Sequence, residues 1–181
     1  PENAGIAVNE RGAIVVDKRL HTTADNIWAM GDVTGGLQFT YISLDDYRIV
    51  RDELLGEGKR STDDRKNVPY SVFMTPPLSR VGMTEEQARE SGADIQVVTL
   101  PVAAIPRARV MNDTRGVLKA IVDNKTQRML GASLLCVDSH EMINIVKMVM
   151  DAGLPYSILR DQIFTHPSMS ESLNDLFSLV K

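Results

Sequence analysis

The residues best placed to do chemistry lie near the end of the chain, in Thr165-His166-Pro167-Ser168-Met169-Ser170-Glu171. A histidine stands just ahead of a helix start, and Glu171 follows at a distance from which it can turn back. A carboxylate bonded to one imidazole nitrogen fixes the tautomer and raises the basicity of the other, which makes a positioned proton acceptor. The same residues have a plainer use. Ser168-x-x-Glu171 is a capping box, in which Ser168 caps the helix and Glu171 reaches back to its first amide.

A second constellation lies far upstream, in Thr22-Thr23-Ala24-Asp25-Asn26-Ile27-Trp28-Ala29-Met30-Gly31-Asp32. A strand-like run delivers Gly31, which lets a ligand approach the backbone closely, and then Asp32 at the strand's carboxyl end. In open α/β sheets that edge is where ligands bind. A carboxylate there accepts hydrogen bonds from sugar-type hydroxyls and would repel phosphate. Alternatively, Asp32 only opens a turn with Gly35-Gly36.

The elements that must hold these groups divide into two textures. Ile14 to Asp17 and Asn26 to Met30 read as strands. Phe39 to Leu55 reads as a helix carrying Ile42, Tyr47, Val50 and Leu54 on one stripe and closed by Gly56. The polar stretch Leu55 to Asn67 is the candidate boundary, giving domains 1–66 and 67–181. Beyond it, Tyr70 to Met74, Ile95 to Val102, Val117 to Val122 and Met129 to Val137 read as strands. Thr84-Glu85-Glu86-Gln87 starts a short helix. Asp138 to Ala152 is a longer helix with Met142, Ile145, Val146, Val149 and Met150 on its apolar stripe and Gly153 as its stop. This order predicts an α+β domain with helices on a mainly antiparallel sheet, preceded by the end of an α/β domain.

Composition narrows the function. A net charge of −4 argues against a nucleic-acid-binding surface. No apolar run approaches the ~20 residues that cross a bilayer. Cys136 is the single cysteine, which leaves no internal disulfide, Cys-x-x-Cys pair or Cys-rich zinc site and fits a reducing cytoplasm. In its apolar run it reads as an inert core thiol. With only His21, His140 and His166, widely scattered, no metal site is expected. Arg107 and Arg109 read as solvated loop residues, with an anion or cofactor contact as the other reading. The opening at Pro1, without methionine, reads as internal to a longer protein.

The chain resembles the pyridine nucleotide–disulfide oxidoreductases, FAD-dependent enzymes that include dihydrolipoamide dehydrogenase, glutathione reductase and mercuric reductase. Thr23 to Asp32 is similar to their second FAD motif. His166, Pro167, Ser168 and Glu171 are similar to their terminal His-Pro-Thr/Ser-x-x-Glu signature, and Val72 to Glu85 to the start of their interface domain. Gln38 to Tyr41, Ile105 to Arg109 and Asp113 to Gly116 look most like the mercuric-reductase branch, although the vicinal cysteines that end that enzyme are absent from Phe177 to Lys181.

The resemblance implies that Asp32 bonds the ribityl chain of FAD, with Gly31 allowing the approach. It implies that Gln38, Phe39 and Thr40 bring a helix start to the flavin ring. His166, oriented by Glu171, is implied to be the acid–base partner of a redox-active thiol in the other subunit of a homodimer. The chain then reads as the C-terminal part of a cytoplasmic NAD(P)H oxidoreductase, concerned with oxidative stress or with metal-ion or thiol reduction. The family's pyrophosphate loop, NAD(P)H loop and Cys-x-x-x-x-Cys pair do not occur here, so this part alone is expected to be inactive. The alternative is a non-catalytic dimerisation module with a structural histidine.

Overall fold

The computed structural model describes residues 1–181, which form two compact units, Pro1–Lys66 and Asn67–Lys181. No helix is long and apolar enough to cross a membrane.

In the first unit, the runs read as strands are not strands. Val8 meets Ile14, and His21 meets Trp28, through isolated bridges only. The reason is visible in the backbone. Ile14 N–H donates to Val33 O at 2.9 Å while Val15 N–H donates to Ala7 O at 3.0 Å. Pairing does not extend beyond a single bridge on any side, so no ladder forms. Gly31–Thr34 is a single 3₁₀ turn, and helix α1 runs Thr40–Leu55 and stops at Gly56.

The buried face of α1 is Ile42, Asp46 and Ile49; of the stripe expected from the apolar residues, Ile42 is buried and Val50 half-buried. Tyr47 and Leu54 are exposed. The spacing is helical, but one of its members is a carboxylate, which an apolar pattern search passes over. The polar stretch after α1 is also more than a tether. The Asp52 carboxylate accepts from the amides of Lys59 and Arg60 at 2.7 and 2.9 Å. Those backbone bonds, the Arg60 amide first, hold its carboxyl below the usual range. Thr62 N–H donates to Lys18 O at 2.9 Å, and Ser61 and Asp64 form a capping box.

The second unit is an antiparallel sheet covered by helices. Its elements are β1 (Tyr70–Val72), β2 (Leu78–Gly82), α2 (Glu85–Glu90), β3 (Ile95–Pro101), α3 (Pro106–Val110), β4 (Val117–Asp123), β5 (Met129–Leu135), α4 (Ser139–Asp151), α5 (Ser157–Asp161) and α6 (Ser172–Ser178). The strand order is β1-β2-β5-β4-β3, and every neighbouring pair is antiparallel. β2 was not expected as a strand, because its inward positions are Ser79 and Val81. Ser79 is fully buried and is satisfied by the hydroxyls of Ser71 and Ser139, at 2.7 and 2.9 Å. A buried hydroxyl with partners costs little.

Leu118 and Leu134 face each other across β4 and β5. They pack with Met142, Ile143 and Val146 of α4, and with Leu173, Leu176 and Phe177 of α6, in one core. Thr84 caps α2 with the full reciprocal box, at 3.1 and 2.9 Å. Arg107 and Arg109 lie on α3 rather than in a loop, and Arg109 Nε–H donates to Ala103 O at 2.7 Å.

Candidate functional site

The loop from Gln162 to Glu171 carries His166 between α5 and α6. Three anchors hold it. Met169 is buried at 3% exposure in the core. Ser172 Oγ–H donates to Met169 O at 2.6 Å. The third anchor is Asn174, whose side-chain NH2 shares its two hydrogens among Leu159 O, Arg160 O and Gln162 O at 2.8, 3.0 and 2.9 Å. These carbonyls end α5 and have no partner within it. One side chain of α6 thus caps α5 and sets where the histidine loop begins.

The other end of the loop is set by Glu171. Its Oε1 accepts from the Ser168 amide at 3.1 Å, and Ser168 Oγ accepts from the Glu171 amide at 3.2 Å. The box expected from Ser168-x-x-Glu171 is therefore present. It closes a turn ahead of the helix rather than capping it, because α6 begins at Ser172 with Glu171, not Ser168, as its N-cap. The second carboxylate oxygen, Oε2, lies 2.8 Å from His166 Nδ1.

The two uses of Glu171 are thus simultaneous. A carboxylate only accepts, so Nδ1 carries the proton in this pair and Nε2 holds the free lone pair. The side chain of Glu171 is 16% exposed and that of His166 is 69% exposed. A sheltered carboxylate holds a ring that presents its free nitrogen to the surroundings. The peptide bond between His166 and Pro167 is cis.

The candidate cofactor residues gather in the first unit. Gly31 sits at φ +75°, a conformation that side chains rarely adopt. A Cβ there would also meet Ser43 Oγ at 3.0 Å. Asp32 follows with an exposed carboxylate. Gln38 and Thr40 are exposed and Phe39 half-buried where α1 begins. Phe39 is the N-cap, and no side chain caps that end. Phe39 and Tyr41 stack at 5.1 Å with their rings 9° from parallel.

Sequence reasoning missed the residue that ties these together. Asp46 is 2% exposed, and its Oδ2 accepts from the Gly31 amide at 2.7 Å. Its Oδ1 accepts from Arg65 Nη2. Arg65 Nε also donates to Asp45 Oδ2 at 2.7 Å. Burial alone would lower the Arg65 guanidinium, but its bonds to Asp45 and Asp46 outweigh burial and raise it above the ordinary value. The signal was available in the spacing, since Asp46 sits four residues after Ile42 and three before Ile49.

Cys136 is fully buried, with Sγ 3.9 Å from Met142 Sδ. Burial, reinforced by Asp138 and Asp113, pushes its thiol up to about 12. It is a core thiol and no nucleophile.

Residues 68–177 match the model of the pyridine nucleotide-disulphide oxidoreductase dimerisation domain, and residues 1–46 match that of pyridine nucleotide-disulphide oxidoreductase. The chain is 36% identical to a mercuric reductase from Staphylococcus aureus, over 95% of this chain and 31% of that protein. It is 31% identical to a dihydrolipoyl dehydrogenase from Mycobacterium bovis, over 97% of this chain and 38% of that one. Among solved structures it superposes on the HOCl-induced flavoprotein disulfide reductase RclA from Escherichia coli with a TM-score of 0.99 and 99% identity. That match covers 100% of this chain and 42% of the other. The chain spans about a third of the length of the curated relatives it matches.

Proposed function

Because the chain belongs to the pyridine nucleotide-disulphide oxidoreductase family, we propose that it is the C-terminal part of an FAD-dependent NAD(P)H oxidoreductase. It supplies one end of the FAD site, the homodimer interface and an acid–base pair. The observation that carries this reading is the 2.8 Å contact between His166 Nδ1 and Glu171 Oε2, made while His166 stays largely exposed. A structural histidine has no need of a sheltered carboxylate on one nitrogen and open access to the other.

In this reading His166 Nε2 takes the proton of a thiol as the thiolate forms. The resulting imidazolium keeps Nδ1–H on Glu171 and is stabilised there by the carboxylate's charge. When a thiolate attacks a disulfide, the departing sulfur leaves as thiolate and takes the proton back from Nε2. The electron pair stays on sulfur, and the histidine ends as it began. Cys136 plays no part, so the thiols are supplied by the rest of the enzyme. The high exposure of His166 fits service to a partner subunit's site.

The residues of the first unit suit a flavin in their donor chemistry. Asp32 offers an exposed acceptor for polyol hydroxyls, and the start of α1 at Thr40 offers a positive dipole end, the Phe39 amide being taken by Leu37 O at 3.1 Å. FAD bound here would supply electron transfer between NAD(P)H and the thiols, and Asp32 with the start of α1 would hold it. Phosphate is not suited to the Asp32 edge. The names of the relatives, a mercuric reductase and an HOCl-induced disulfide reductase, support a role in metal-ion or thiol reduction under oxidative stress. A disulfide-reducing thiol pair is kept turning over in the reducing cytoplasm, where we place the enzyme.

An anaerobic titration of the full-length protein with NADH and then NADPH tests the reading through the visible spectrum. Bleaching of the flavin bands, with a long-wavelength thiolate-to-flavin band, is the expected result. A colourless protein, or a flavin that neither nucleotide reduces, would favour the alternative of a dimerisation module with a structural histidine.

A further inference from the structure

The buried carboxylate of α1 has a task beyond packing. We propose that Asp46 is a positioning residue for Asp32, holding the Gly31 amide so that the Asp32 carboxylate is presented at the start of α1, with Arg65 holding Asp46 in turn. The proposal rests on the flavin reading of Asp32 and adds a relay that the reading does not require.

The geometry is a chain of three links. Gly31 N–H donates to Asp46 Oδ2 at 2.7 Å. Asp46 Oδ1 accepts from Arg65, whose fork also engages Asp45 at 2.7 Å. Gly31 opens the single 3₁₀ turn that carries Asp32. The amide that Asp46 grips is therefore the one peptide step before the exposed carboxylate. At 2% exposure Asp46 has no water to replace either donor, and the Arg65 side chain is itself only 19% exposed.

Both oxygens of Asp46 accept, and this makes the pair testable by an isosteric change. An amide in its place has one acceptor and one donor. Either the Gly31 amide or the Arg65 guanidinium then faces an N–H group, so Asp46→Asn cannot serve both. Removing the second donor as well, in Asp46→Asn with Arg65→Met, lets the remaining acceptor turn to Gly31. A residue that only packs has no reason to be rescued by that second change.

The experiment measures FAD dissociation constants by fluorescence titration of the apo form of the full-length protein, with melting temperature alongside. Asp46→Asn is expected to weaken FAD about tenfold or more, the scale of one buried donor set against another. The double variant is expected to recover most of that loss. Unchanged FAD affinity in a folded Asp46→Asn protein overturns the proposal, as does a double variant as weak as the single. If Asp46→Asn does not fold, Arg65→Lys decides. It keeps the charge but cannot span Asp45 and Asp46, so FAD affinity falls several-fold, and unchanged affinity overturns the relay. A wild-type protein that binds no FAD overturns the flavin reading itself, an outcome distinct from an Asp46 variant that binds normally.

Discussion

Glu171 reaches His166 with the carboxylate oxygen that it does not spend on its own turn. Oε2 lies 2.8 Å from His166 Nδ1, while Oε1 accepts from the Ser168 amide. The turn bond fixes the carboxylate plane, and the fixed plane fixes the ring. Orienting the His166 ring and closing the turn ahead of α6 are therefore one structural act.

Glu171→Gln breaks that economy without changing its shape. The amide oxygen goes to the Ser168 N–H, and the amide nitrogen then faces His166 Nδ1. That stabilises the tautomer with the proton on Nε2, the wrong one for accepting from a thiol. Thiol-linked turnover of the full-length enzyme should fall by about 10- to 100-fold, the scale for losing an orienting partner. Flavin content should be unchanged, and nitrogen NMR of His166 should report the exchanged tautomer. Turnover at the wild-type rate would show that the bond is ornamental.

Asn174→Ala removes the donor shared by Leu159, Arg160 and Gln162. The loss of a half-buried donor serving several carbonyls costs about 1–3 kcal/mol, readable as a lower urea midpoint. Because the same amide sets where the histidine loop starts, turnover should drop along with stability. A variant that loses stability but keeps its rate would confine Asn174 to capping α5.

Phe177 is fully buried and stacks on Tyr156 at a centroid distance of 6.1 Å. Phe177→Ala should destabilise the second unit by about 3–5 kcal/mol through lost burial and the cavity left behind. Denaturant unfolding of the wild type and the variant measures this. A loss under 1 kcal/mol, roughly a conservative swap, would mean that the core closes over the gap.

Cys136 should resist alkylation in the native protein at pH 8 and react only on unfolding. With its thiol pushed up to about 12, the thiolate is on the order of 10⁻⁴ of the population there. The raised value also has a sign for stability. Above about pH 8.5 the unfolded thiol ionises while the native one stays protonated, so this group's contribution falls as pH rises towards 12. A Cys136→Ala variant should lose that slope. Native-state labelling at the rate of a free thiol would contradict the burial.

Much of this was legible in the residues. The helices around Thr40–Leu55 and Ser139–Asp151 and the strands Ile95–Pro101 and Val117–Asp123 follow from periodicity and β-branching. The pairing of His166 with Glu171 follows from spacing at a helix start. What stayed hidden has a common cause. β2 turns a serine inward, and α1 turns an aspartate inward. Both are polar groups whose burial is acceptable only because of partners distant in sequence, such as Ser139 and Arg65. A local pattern registers the polarity and not the partner. The strand readings at Ile14 and Trp28 erred in the opposite direction: the local residues favour strands, but each run makes only an isolated bridge.

The most direct test of the central claim compares wild-type and His166→Ala full-length enzyme in a rapid-mixing experiment with two phases. Reduction of the flavin by its nucleotide should be unchanged within about twofold, since His166 has no part in that step. Turnover with a small chromogenic aryl disulfide should slow by about 10²–10⁴-fold, the range for losing a positioned acid–base group. Equal disulfide turnover in the two proteins would contradict the account and leave His166 a structural residue.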